Sequence, residues 1–252
     1  MDLGLRDRVY VVTGASRGLG RATATALVAE GARVVVSSRS GDHLDPVVDA
    51  LGRDNAMAVV AENADPDTPQ RLVSAAFDTF GRLDGALVSV GGPPAGPIVD
   101  KTDEEWRQYF ESIFLGGLRL ATTVAENLGP GGSIALVLST SVKQPIPNLG
   151  MSNGLRPGLA MAGKTLADEL GPRGIRVNGL LPGRVETERV QELDAGTDDP
   201  VETRRRQLAS IPLRRYGRPE EFAAAAVFLL SPASAYITGV MLPVDGGITR
   251  GL

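Results

Sequence analysis

The chain contains no cysteine and only one histidine, His43, among its 252 residues. Disulfides and thiolate metal sites are thereby excluded, a histidine cluster cannot be assembled, and no metal is expected. Positive charge is not in excess either: 26 Lys and Arg stand against 30 Asp and Glu, a net charge of −4. Proteins that grip nucleic-acid backbones concentrate basic residues on one face, so nucleic acid is not expected as a partner. Long hydrophobic runs are missing as well. None approaches the ~20 apolar residues that span a bilayer, and Met1-Asp2-Leu3-Gly4-Leu5-Arg6 lacks the basic-then-apolar order of an export signal. The expectation is a soluble, cytoplasmic protein without a membrane partner.

What the chain does have is alternation. Short apolar, β-branched runs lie at Arg8–Thr13, Arg33–Ser37, Met57–Ala61, Ala86–Ser89, Ile134–Leu138, Arg176–Leu181 and Val240–Pro243. Segments of helical period separate them, at Arg21–Glu30, Pro69–Phe80, Glu104–Asn127, Leu155–Leu170 and Glu220–Leu230. Runs that are apolar throughout suit strands buried on both faces, as in a parallel sheet covered by helices. Asp103 and Pro219 stand where helices should start, and Gly31, Gly81 and Gly171 where helices should end. The reading is α/β, a single-domain Rossmann-type doubly wound parallel sheet over residues 1–252. Glu188 to Leu213 departs from the pattern, being polar and charged. It follows Pro182-Gly183 at a strand's carboxyl end, where open α/β sheets bind ligands. Residues 188–213 therefore read as a substrate lid, or else as a solvated surface loop with a short helix.

The first strand runs directly into Thr13-Gly14-Ala15-Ser16-Arg17-Gly18-Leu19-Gly20. Glycines at this spacing between a strand and a helix permit positive φ, close approach of backbone to a pyrophosphate, and tight helix–strand packing. The N–H groups and positive end of the helix then face the anion. A dinucleotide site is expected.

The order of several motifs resembles the classical short-chain dehydrogenase/reductase family over essentially the whole chain. They are Thr13–Gly20, Phe80-Gly81-Arg82-Leu83-Asp84, Leu166–Asn178, Pro182-Gly183, Tyr236-Ile237-Thr238-Gly239 and Val244-Asp245-Gly246-Gly247. Bacterial 3-oxoacyl-carrier-protein reductases are similar. The resemblance implies a nicotinamide cofactor, hydride exchange with a small carbonyl or alcohol substrate, and a homo-oligomer, tetramer or dimer. It places Gly14, Ser16, Arg17, Gly18, Leu19, Gly20, Ser89, Gly91, Pro182 and Gly183 against the cofactor. Glu62 or Asn63 falls at the adenine, and Val185 and Thr187 at the nicotinamide amide. Members preferring NAD usually carry an acidic residue after the second strand; here Ser37-Ser38-Arg39 stands there. Arg39 and Arg17 suit a 2′-phosphate, so NADP(H) is expected over NAD(H).

The catalytic positions depart from the family. Its serine maps onto Ser139. Its tyrosine position holds Ser152, its lysine position Arg156 and its asparagine position Ile113, while Ser89-Val90-Gly91-Gly92 replaces the family's Asn-Asn-Ala-Gly. An aliphatic hydroxyl is a far weaker acid than a phenol, and a guanidinium with pKa above about 12 does not exchange protons in practice. Arg156 retains the ability to hold cofactor ribose hydroxyls. Three readings are open: a divergent oxidoreductase using Ser139, Ser152 and Arg156; a non-catalytic NADP(H)-binding regulatory or scaffold protein; or non-redox chemistry, for which His43 lies too far away to serve a nucleophile. Tyr109 and Lys143 are the nearest replacement acids in sequence, each more simply read as packing aromatic and solvated cation.

Overall fold

The computed structural model describes residues 2–251. Seven strands, β1 (Val9–Thr13), β2 (Arg33–Ser38), β3 (Ala56–Val60), β4 (Gly85–Val88), β5 (Ser133–Val137), β6 (Arg176–Pro182) and β7 (Met241–Val244), form one sheet in the order β3-β2-β1-β4-β5-β6-β7. Every pairing is parallel. Alternate residues of the same run feed opposite cores. Val9 and Val11 pack with Leu72, Leu120 and Leu159, whereas Tyr10 and Val12 pack with Leu27, Val47 and Phe222. Helices α1 (Gly18–Ala29), α2 (Asp45–Leu51) and α9 (Pro219–Leu230) thus cover one face. On the other lie α3 (Thr68–Phe80), α5 (Gly116–Glu126) and α6 (Gly150–Leu170). This two-sided burial makes the strand runs continuously apolar. Among the described residues, no helix is long and apolar enough to cross a membrane.

The chain order reverses between β1 and β4, so the loops leaving their carboxyl ends diverge and open a crevice. Both the glycine loop and Ser89–Gly92 emerge there.

Four expectations are corrected. Helix α2 has no counterpart in the sequence reading; it is only seven residues long, starts at Asp45 with Pro46 in its first turn and buries Val47, Val48 and Leu51. The long middle helix is not uniform. It begins with α4 (Asp103–Tyr109), closed by a reciprocal Thr102–Glu105 capping box, passes through a π-helical stretch at Phe110–Leu115 and continues as α5. Helix α6 starts at Gly150 rather than Leu155, because Gly150 docks on the Gly96–Ile98 backbone and the Asn153 side chain bonds both Ile146 N–H and carbonyl. The fifth strand ends at Val137 rather than Leu138, which leaves Ser139 two residues beyond it.

The polar segment after β6 is a helix pair, α7 (Glu188–Ala195) and α8 (Pro200–Ser210), capped by Thr187 and Asp199. It is pinned by polar contacts, since Asp194 is its only buried residue. Arg184 donates to Asp194 at 2.9 Å, the Tyr216 hydroxyl donates to the other carboxylate oxygen at 2.9 Å, and the Arg204 guanidinium stacks on the Tyr216 ring at 4.4 Å while pairing with Glu186. Burial, reinforced by the bond to Asp194, pushes the Tyr216 hydroxyl up from 10.0 to about 12.

Tyr216→Phe leaves the buried Asp194 short of a donor, so it should lower stability by about 1–3 kcal/mol in denaturant unfolding. A hydroxyl whose pKa rises on folding stabilises fully below its unfolded value, so the difference from the parent should persist at neutral pH and shrink as pH climbs from 10.0 towards about 12. A second test concerns backbone approach. A Cβ on Gly116 would overlap the Asn63 carbonyl, whereas Gly129 has nothing within 4 Å. Gly116→Ala should cost about 1–3 kcal/mol and Gly129→Ala less than about 0.5 kcal/mol.

Candidate functional site

The glycine loop folds as its spacing requires. Gly14 and Gly18 take φ of +61° and +56°. A Cβ at Gly14 would stand 2.9 Å from the Ser89 carbonyl oxygen, and one at Gly20 would overlap the Gly14 carbonyl. The loop is tied across the crevice because the Thr13 hydroxyl donates to the Ser89 carbonyl and accepts from the Ser89 N–H, both at 2.8 Å. Helix α1 has neither a side-chain cap nor an acidic residue in its first turn. Its first N–H groups are therefore available to an anion, as a pyrophosphate cradle requires. Ser16 and Leu19 flank this turn and are half-buried.

Other expected cofactor residues line the same edge. Ser38 turns its hydroxyl onto the Ser40 carbonyl at 2.9 Å, leaving Arg39 exposed at the end of β2. Glu62 is exposed, and its carbonyl accepts from Thr68 at 2.8 Å; the Asn63 carbonyl abuts Gly116. Pro182 ends β6, Gly183 donates to the Val244 carbonyl at 3.0 Å, and Val185 is buried. Thr187, also buried, faces Gly18, where a Cβ would lie 3.3 Å from its methyl group. Residues from five separate segments thus lie along the carboxyl edge of the sheet.

At the crevice floor, Ser139 adopts an extended backbone and its hydroxyl accepts from the Ser141 N–H at 3.1 Å. Ser152, 6% exposed, meets Ser141 instead: their hydroxyls lie 3.4 Å apart. Ser141 was not singled out from sequence; the Ser139-Thr140-Ser141 run was the available signal. Arg156 follows one turn later on α6 and is 4% exposed. It donates to the Val137 carbonyl at 2.6 Å and the Val90 carbonyl at 3.0 Å, tying together the ends of β5 and β4. Burial alone lowers its pKa to about 10, a correction to the expected value above 12, yet it stays charged at neutral pH. Ile113 is fully buried inside the π-helical stretch, Lys143 is exposed and His43 is exposed in the turn before α2.

Two arginines join the α7–α8 pair to this edge. Arg17 pairs with Glu192 of α7 at 2.7 Å, which holds the Glu192 carboxyl below its usual range. Arg189, also on α7, donates to the Pro93 carbonyl at 2.7 Å. Neither Arg189 nor Glu192 was read from the sequence, because their i, i+3 spacing resembles any exposed helix face.

Known proteins are similar to this chain in sequence and fold. The family model described as Enoyl-(Acyl carrier protein) reductase matches residues 14–249. An uncharacterized oxidoreductase of Mycobacterium tuberculosis is 36% identical over 97% of this chain and 92% of its own length. The 3-oxoacyl-[acyl-carrier-protein] reductase FabG of Vibrio cholerae is 32% identical over 98% of this chain and 99% of its own. Among solved structures, L-sorbose reductase from Gluconobacter frateurii, complexed with NADPH and L-sorbose, superposes with a TM-score of 0.90 at 29% identity over all of both chains. With the cradle, the crevice and these likenesses in agreement, the chain belongs to the short-chain dehydrogenase/reductase family of oxidoreductases.

Proposed function

We propose that this protein is a divergent NADP(H)-dependent oxidoreductase acting on a small carbonyl or alcohol substrate without the family's tyrosine–lysine pair. The observation that carries the reading is the uncapped, glycine-lined start of α1 facing Ser89–Gly92 and the Ser139–Ser152–Arg156 floor. When bound, the nicotinamide cofactor supplies or accepts the hydride. Gly14, Gly18 and Gly20 leave room for its pyrophosphate, and Val185 and Thr187 flank its nicotinamide end. Arg17 and Arg39 meet the 2′-phosphate, a role for which Arg17 must leave Glu192. The NADPH-bound sorbose reductase supports this cofactor choice.

On the substrate side, the Ser139 and Ser152 hydroxyls hydrogen-bond the carbonyl oxygen. The buried Arg156 charge stabilises the negative charge that grows there, an effect strengthened where water is excluded. Neither serine is acidic enough to give up a proton at neutral pH, so water supplies it. The second reading, a non-catalytic NADP(H)-binding regulatory or scaffold protein, draws on the engagement of Arg156 with two backbone carbonyls and of Ser152 with Ser141. We also read the chain as a homo-oligomer. Phe110, 42% exposed, stacks on Phe114 at 5.0 Å, and Phe114 packs at Gly158 of α6 near Met161, which is 67% exposed.

Calorimetry should show NADPH binding more tightly than NADH, and Arg17→Ala with Arg39→Ala should cost NADPH about tenfold or more while sparing NADH. Equal affinities in the parent protein would remove the NADP(H) assignment. Turnover of simple ketones should run about 10²–10⁴ below a tyrosine-bearing relative and rise in the double variant Ser152→Tyr, Arg156→Lys. If NADPH binds and neither protein turns over any carbonyl compound, the non-catalytic reading takes its place. For the assembly, Phe110→Glu with Met161→Glu should reduce the mass seen by light scattering; an unchanged or already monomeric mass argues against this interface.

A further inference from the structure

The walls of the crevice differ in charge from its rim. The loop Val90-Gly91-Gly92-Pro93-Pro94-Ala95-Gly96-Pro97 and the facing loop Gln144-Pro145-Ile146-Pro147-Asn148-Leu149 contain no charged residue. The two loops are locked together: Gly96 N–H donates to the Asn148 carbonyl at 2.8 Å and Gly150 N–H to the Gly96 carbonyl at 3.1 Å. Charge enters from outside this wall: at its far end Lys101 donates to the Ala95 carbonyl at 3.3 Å but is already paired with Glu105, and at the Gly91-Gly92 end two arginines approach. Arg156 reaches the Val90 carbonyl from below at 3.0 Å, and Arg189 reaches the Pro93 carbonyl from the lid at 2.7 Å, with its Nε 3.7 Å from the place of a Gly92 Cβ. Residues 90 and 93 are three steps apart, which bounds their separation at about 10 Å even if the chain is fully extended.

Of the carboxylates near Arg189, Glu186 and Glu188 face other groups, and Glu192 is shared between Arg17 and Arg189. Glu192 lies 3.7 Å from Arg189 but 2.7 Å from Arg17, and Glu186 pairs with Arg204. Glu188 points towards Gly18 of the phosphate loop. Arg189 gives Nη2 to the Pro93 carbonyl and faces Glu192 with Nη1 at 3.7 Å, beyond hydrogen-bond distance, while its Nε beside Gly92 can donate to a carboxylate oxygen. A neutral polyol would need acceptors and donors from the walls, and those walls are mostly glycine, proline and aliphatic side chains. An oxo acid needs only one cation beyond the hydroxyls that hold its carbonyl.

We propose that the substrate is a short carbonyl compound bearing a carboxylate, with Arg189 as the residue that binds the carboxylate and sets specificity. This rests on the oxidoreductase reading above and names its substrate class. The carbonyl oxygen lies at Ser139 and Ser152, the carboxylate at Arg189 across Gly91-Gly92, and Arg156 adds positive potential from beneath without touching the carboxylate. Closure of α7 brings Arg189 over the substrate, so an uncharged analogue loses both the ion pair and the contact that holds the lid down.

The test uses the full chain saturated with NADPH, titrated calorimetrically with levulinate and pyruvate and with the methyl ester of each. At least one acid should bind about tenfold or more tightly than its ester. Arg189→Gln should bring acid and ester to parity by weakening the acid alone, Arg189→Lys should recover part of the difference, and added salt should narrow it. The unfolding midpoint of Arg189→Gln should match the parent, which separates lost recognition from lost folding. Esters binding as well as acids, a preference that survives Arg189→Gln, or no binding of any of the four at millimolar concentration overturns the proposal. Failure of NADPH itself to bind counts against the oxidoreductase reading instead, and the same four titrations without cofactor still report the acid-to-ester ratio.

Discussion

The Arg156 guanidinium is a buried cation with no carboxylate beside it, and the crevice is arranged around that constraint. Removing such a charge from water costs several kcal/mol even after relaxation. The Val137 and Val90 carbonyls offset part of this, because strand-end carbonyls in a parallel sheet have no further partner once the next strand has ended. The guanidinium thereby joins the ends of β5 and β4, the two strands that carry the serine floor and the Gly91-Gly92 wall. Its planar fork can span two carbonyls at once, which a lysine ammonium on a flexible stem does less rigidly. The outcome is a fixed positive charge buried between the two strand ends.

Close backbone approach is the second constraint. The Thr13–Ser89 pair of hydrogen bonds draws β1 and β4 together at the point where strand order reverses, and only glycine at position 14 leaves space for the Ser89 carbonyl. Gly116 does the same between α5 and Asn63. The π-helical stretch ends at this contact and carries Ile113 into the core one turn earlier. Such single-turn π segments occur frequently at functional sites. Here the wide turn persists although an apolar side chain fills it.

Much of this was legible in the chain. Strand positions were readable to within one or two residues because both faces of each run are buried, and the glycine loop was readable because its chemistry needs glycine at fixed places. The misses share a physical cause. Helix α2 is shorter than two full turns of periodic signal, and α6 starts early because Gly150 and Asn153 are held by residues some fifty and seven positions away. Pro157 sits inside α6, beyond its first turn, and withholds a donor from the Asn153 carbonyl.

By itself, the order of residues determined the sheet class and the glycine loop, since these follow from local periodicity and local backbone freedom, while Ser139, Ser152 and Arg156 were singled out by the family resemblance. The tertiary structure alone decided what each side chain faces. Ser152 turns to Ser141, Arg156 to two strand-end carbonyls, Arg17 to Glu192 and Arg189 to Pro93, partners up to 175 positions apart in the chain. Contacts of that separation leave no periodic trace in a sequence. They arise only when the sheet brings distant loops to one edge and burial makes each polar group find a partner.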